Sequence, residues 1–219
     1  MWSSEVTNMI ITGIWETLYM TLVSTLVGYV IGLPMGIILT VSDKDGIKPN
    51  AVLYKILDVI ANIVRSVPFI ILLVLLIPFT RLVVGKSYGS TATIVPLVIA
   101  AAPYIARMVE SSLKEVDAGV IEAARSMGAS NFTIITKVML VEARTSILVG
   151  ATITLGTILG YSAMSGAVGG GGLGAIAIRY GYTRWQTDIM IVTVILLIIL
   201  FQIFQTVGMK LADKFDHRK

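Results

Sequence analysis

Cysteine is absent from this chain of 219 residues, and histidine occurs once, at His217. The first shortage excludes disulfides and thiolate metal sites. The second leaves no set of imidazoles for a metal or catalytic centre, and no cofactor is expected. Charge is scarce as well. Asp, Glu, Lys and Arg make up 14% of the residues, where a soluble domain carries about 25%. The hydrophobic share is 56% and the mean hydropathy is +0.88. Such a chain is an integral membrane protein, with lipid as the main solvent. The net charge of +4 could suit nucleic acid, but basic residues in a membrane protein mark its cytoplasmic side. No nucleic-acid partner is expected. The opening Met1-Trp2-Ser3-Ser4-Glu5 lacks a basic stretch and no small-residue cleavage site follows, so the first hydrophobic segment is expected to be retained.

Uncharged intervals cover residues 17–42, 66–80, 87–106, 145–178 and 189–209. A spanning helix needs roughly 20 apolar residues. The second interval holds only 15, so its span is expected to begin near Leu57, with Asp58 or Arg65 at its edge. The fourth holds 34, but its second half is glycine-rich and a poor helix former. One helix over 147–163 followed by an irregular stretch is expected there. The fold class is therefore an all-α membrane protein with five transmembrane helices, a single domain over 1–219. With the amino terminus outside, inner segments hold twelve Lys and Arg and outer segments four. That asymmetry puts the carboxyl terminus inside. It also makes 107–144 cytoplasmic.

Gly28, Gly32 and Gly36 repeat at four-residue spacing in the first span, a pattern that lets another helix approach closely. Gly156 and Gly160 repeat it in the fourth, where packing or lining a pathway would both suit. Pro34, Pro68, Pro78, Pro96 and Pro103 fall in or at the ends of spans and are expected to mark kinks.

The cytoplasmic segment 107–144 is the longest charged interval. Asp117 is an N-cap candidate for a short helix to Met127. Val120, Ile121, Ala124 and Met127 give that helix one apolar face. Gly128 can end it in a left-handed conformation. Ser130 then caps a second helix with Phe132, Ile135, Val138 and Met139 along one stripe. A plug of this kind rests in a groove on a partner or lies on the lipid surface.

Glu122, Ala123, Ala124 and Gly128 resemble the EAA signature of permease subunits of ABC importers. The signature usually goes on to a proline where this chain has Val141, so the final bend departs from the pattern. Arg65-Ser66-Val67-Pro68-Phe69-Ile70 resembles the element opening the second span of amino-acid permeases. Tyr161-Ser162-Ala163-Met164-Ser165-Gly166 and the glycines after it look like the permeases of bacterial methionine importers. The stretch around Arg179-Tyr180-Gly181-Tyr182 is similar too, so the likeness covers nearly the whole chain.

The resemblance implies a type I importer permease of the bacterial cytoplasmic (inner) membrane. It also implies partners: two copies of an ATPase subunit docking on 107–144 through Glu122, Ala123, Ala124 and Gly128, an external substrate-binding lipoprotein, and a second permease copy as a homodimer. This chain carries no ATPase of its own. Gly85-Lys86-Ser87 matches only the end of a phosphate-binding loop, since position 80 is Thr. Gly169, Gly171 and Gly174 fit a dinucleotide pattern in spacing, but no strand precedes them.

Tyr161 and Met164 share a helix face and are the candidates for the substrate path, where aromatic and thioether groups can contact a thioether cargo. Packing against neighbouring spans is the competing role. Gly169, Gly170, Gly171 and Gly172 are candidates for a flexible outer gate. The expected cargo is methionine. Another amino acid or a small peptide carried by the same machine is the alternative, and an ATP-independent carrier is a further one. Such a carrier would show buried ionisable residues or inverted repeats, and neither is evident.

Overall fold

A computed structural model describes residues 4–215 of the chain. His217, Arg218 and Lys219 lie outside the described residues. All regular structure among those described is helical. Four helices are long and apolar enough to cross a membrane, and a bent pair supplies the fifth span.

Helix α1 runs from Ser4 to Ser42. It starts well before the apolar interval, so Glu5 and Glu16 ride on an outward extension of the first span. Its glycines meet α5 (Ser90–Lys114). A Cβ on Gly32 would lie 2.6 Å from the Ala102 carbonyl oxygen and 2.8 Å from Ile105 Cβ. One on Gly36 would lie 2.6 Å from the Ala106 oxygen and 2.7 Å from Val109 Cβ. The two backbones therefore touch, and the matched advance along both helices makes them parallel. Parallel neighbours require the chain between them to recross the membrane.

That return path starts earlier than Leu57, at Ala51, and is bent sharply at Pro68, where a kink is expected. Helix α2 (Ala51–Ser66) ends at Val67-Pro68, and α3 (Phe69–Leu75) leaves at 102°. Pro68 has no N–H to continue the ladder and disfavours a helical residue before it. Helix α4 (Ile77–Val84) completes the crossing and ends on Gly85. Pro34, Pro96 and Pro103 instead sit inside α1 and α5, which run on through them. Pro96 and Pro103 are buried among their neighbours, while Pro34 is exposed.

The segment expected to form the plug follows. It contains α6 (Ala118–Ser126), α7 (Asn131–Thr133), a π-helical stretch Ile134–Met139 and α8 (Leu140–Glu142). Helix α9 (Arg144–Ser165) returns through the membrane antiparallel to α5, with Ser146 Oγ donating to Ser112 Oγ at 2.9 Å. The glycine-rich stretch is irregular only as far as Gly171. At Gly172 a new helix begins, α10 (Gly172–Ile176), continued by a π-helical turn Ala177–Tyr182. It packs along the outer part of α1 through Leu173, Ile176 and Ile10. Helix α11 (Thr187–Lys214) is the last span. Gly156 of α9 faces the Phe201 ring of α11, whereas a Cβ on Gly160 would meet open space. The small-residue pattern of the fourth span is thus a contact at one glycine only. Threonines inside the spans, such as Thr25, Thr40, Thr154 and Thr193, donate to carbonyls of their own helix. That satisfies each hydroxyl without a partner helix.

Candidate functional site: the plug, the ion chain and the outer loop

The plug is built by local capping chemistry. The Asp117 carboxylate accepts from Gly119 N at 2.7 Å and starts α6. Gly128 has φ of +81°, the left-handed conformation that glycine reaches without strain. Around it the Ala129 amide donates to the Ala124 carbonyl and the Gly128 amide to the Arg125 carbonyl, the paired bonds of a Schellman turn. Ser130 then accepts from Thr133 N at 3.2 Å and opens the next helix. Ala124 is buried, while Glu122 and Ala123 are exposed. Two large apolar side chains stand out into solvent beside Gly128: Met127 is 82% exposed and Phe132 76%. Val141 is exposed in the three-residue α8, which ends one residue later at Glu142, before α9. Between plug and spans lies a groove of about 510 Å³ lined by Asp43, Ile47, Lys114, Ile121, Glu122 and Arg125, among others. Arg125 bridges it by donating to the Ile47 carbonyl at 2.8 Å.

A chain of charges sits above this groove. Lys114 pairs with Asp43 at 2.6 Å and Glu110 at 2.8 Å. Glu110, whose side chain is 6% exposed, also holds Arg107 at 2.7 Å, and Arg107 pairs onward with Asp58. Tyr54 donates to Glu110, and Asn62 accepts from Arg107 at 3.0 Å. The loop after α1, helix α2 and the inner end of α5 are thus joined by one ionic path. Lys114 holds the Asp43 carboxyl below its usual range, chiefly by hydrogen bonding. The sequence shows only half of this path: Arg107, Glu110 and Lys114 recur at i, i+3 and i+4 spacing. Their partners on α2 and after α1 lie far away in the chain and carry no local signal.

At membrane depth, Tyr161 of α9 stacks on Phe69 of α3, with ring centroids 4.4 Å apart and planes within 4°. These two rings, Arg65, Ala100 and Tyr104 line a cavity of about 190 Å³ at the bend of the second span. Met164 does not join them. It is half exposed on the helix surface, so the two residues expected to share a path face different surroundings.

The four glycines of the outer loop are tied on several sides. Gly89 N donates to the Gly169 carbonyl at 2.8 Å, and Thr93 Oγ1 to the Gly170 carbonyl at 3.1 Å. Glu16 accepts from Gly172 N at 2.7 Å, and Thr17 Oγ1 accepts from Leu173 N at 2.9 Å. Gly171 and Gly172 have φ of +91° and +72°. A Cβ at Gly172 would lie 2.6 Å from Thr17 Oγ1. The carboxylate of Glu16 at the start of α10 was not anticipated from the sequence.

Residues 28–218 match the family model described as binding-protein-dependent transport system inner membrane component. The chain is 49% identical to a protein named probable D-methionine transport system permease protein in Vibrio cholerae, over 99% of this chain and 96% of that one. It is 51% identical to the D-methionine transport system permease protein of Escherichia coli K12, over 72% and 73% of the two. Among solved structures, a chain of the methionine ABC transporter MetNI in inward-facing form superposes with a TM-score of 0.97 at 49% identity, covering 99% of this chain and all of that one. An amino acid ABC transporter, 22% identical, shares the fold with a TM-score of 0.73 over 98% of this chain and 96% of that one.

Proposed function

Because the chain belongs to the family of binding-protein-dependent transport system inner membrane components, we propose that it is the membrane-spanning subunit of an ATP-driven importer carrying methionine across the bacterial inner membrane. One observation carries this reading: identity near one half runs end to end with proteins named for methionine transport, and the backbone follows a methionine transporter chain over the same length. ATP hydrolysis belongs to a separate subunit. Two copies of it dock beneath a pair of permease chains, and an external binding lipoprotein delivers the cargo.

The segment 107–144 is the coupling element. Glu122, Ala123 and Ala124 form the helix that enters the ATPase, and Gly128 sets the turn that presents Met127 and Phe132. Exposed apolar groups of this size suit a partner groove. When the ATPases close on ATP, the plug moves and the spans exchange an inward-open for an outward-open shape. Gly169, Gly170, Gly171 and Gly172 form the outer gate. Glu16, Thr17, Gly89 and Thr93 latch it by single hydrogen bonds, which open at modest cost. Tyr161 lines the path beside Phe69, while Met164 stands away from it on the helix surface.

The test is reconstitution. The chain, its ATPase and the binding protein in liposomes should take up labelled methionine only with ATP inside the compartment that the plug faces. Full uptake by this chain alone, without ATP, would overturn the proposal.

A further inference from the structure

Arg65 is the last residue but one of α2, immediately before the bend at Pro68. It is exposed, and among the described residues no hydrogen bond or ion pair engages its side chain. Its position makes that unusual. The cavity it lines also takes in Ala100 and Tyr104, near the middle of α5. The two cations nearer the cytoplasm, Arg107 and Lys114, each hold carboxylates. Arg65 is a cation at the inner end of the second span with its guanidinium left over. An ionisable group that lines a cavity between spans marks what travels along it.

The surroundings narrow the ligand. A guanidinium offers a planar fork of donors that matches a carboxylate through two parallel hydrogen bonds. Beside it stands the flat wall of Phe69 and Tyr161, suited to an alkyl or thioether chain. The cavity volume of about 190 Å³ is below the range of roughly 300–1,000 Å³ that encloses a drug-sized ligand. It takes one end of a small molecule and leaves the other free.

We infer that Arg65 and the Phe69–Tyr161 wall form a transit subsite that grips the α-carboxylate of the passing amino acid. This rests on the methionine-import reading above. It supplies the charge that α9 lacks, from the opposite side of the path. A grip on one end only is weak, as a site that must release cargo requires. Arg65 is therefore a substrate-contacting residue.

The experiment uses the complete transporter in liposomes with saturating binding protein. The wild-type complex is measured first, and absence of ATP-dependent methionine uptake there would fail the import reading itself. Given that uptake, Arg65→Gln should lower it at least tenfold while ATP hydrolysis stays within twofold of wild type. Arg65→Lys, which keeps the charge and loses the fork, should retain at least a third of wild-type uptake. Uptake by Arg65→Gln within twofold of wild type overturns the inference and leaves the import reading standing. So does a loss of assembly or of ATP hydrolysis in step with uptake, which would make Arg65 a structural or lipid-anchoring residue. A Lys variant no better than the Gln variant overturns it too.

Discussion

Single atoms decide the packing of the first and third spans. Gly32 and Gly36 place α1 against carbonyl oxygens and β-carbons of α5, atoms that cannot rotate away. Overpacking of this kind costs about 1–3 kcal/mol, so Gly32→Ala should lower the melting temperature of the purified protein by several degrees. Gly160→Ala is the matched control. Its Cβ would meet open space, and replacing a helical glycine by alanine is worth about 0.5–1 kcal/mol in favour of the variant. The melting temperature should hold or rise. Equal losses in both variants would contradict the close α1–α5 contact. Asp43 gives a second prediction at this scale. Its carboxyl is held below the usual range by Lys114. The stabilisation it contributes is complete above the ordinary carboxylate pKa, near 4, and is lost as pH falls through the lowered folded value. Lys114 is partly exposed, so the amount is on the order of 1 kcal/mol or less. Melting curves from pH 5 downward should show an acid-side loss that Asp43→Asn reduces.

The caps of the plug are where sequence and structure agree most closely, because their signals are local. The plug's second helix instead turns π-helical over Ile134–Met139, which leaves Phe132 exposed and Met139 buried, off the single stripe expected. Asp117, Gly128 and Ser130 act within a few residues of themselves, and each does what its chemistry predicts. The spans were legible for the same reason: an interval of apolar residues needs no partner to be recognised. What was not legible depends on residues far apart. Pro68 marks a kink locally, but the partner of the helix beyond it, Tyr161 stacked on Phe69, lies far away in the chain. Helix α10 resumes within a glycine run because Glu16 and Thr17, more than 150 positions earlier, receive its first amides. The ionic chain joins α2 to α5 across 49 residues. A prediction follows for the plug itself. Met127→Ala with Phe132→Ala removes side chains that are mostly exposed, so the melting temperature should change little. Co-purification with the ATPase should fall at least tenfold. Loss of stability with retained ATPase binding would assign these residues to the fold instead.

At the scale of the whole molecule, the question is how movement of the plug reaches the bend beside Arg65. Two connections lead there. The groove between plug and spans is bridged by Arg125 on Ile47 and lined by Lys114. From Lys114 the charges run through Glu110 and Arg107 to Asp58, halfway along α2. Helix α2 ends at the bend, so one ionic path joins the groove beside the plug to the segment that carries the Phe69–Tyr161 stack. Arg107 is the centre of that path. Removing it leaves Asp58 without its cation and Glu110 with Lys114 alone. The Arg107 and Asp58 side chains are part-buried, at 17% and 30% exposure, so the cost is on the order of 1–3 kcal/mol. Arg107→Gln should therefore destabilise the protein measurably. Removing both ends of the contact, as in Asp58→Asn with Arg107→Gln, should cost less than the sum of the two single changes, because the groups are coupled. The informative measurement is transport by the double variant. If the ionic chain is a lever, the double variant should assemble and hydrolyse ATP yet import several-fold less methionine per ATP. If it only fixes the position of α2, methionine imported per ATP should match wild type once the complex is folded.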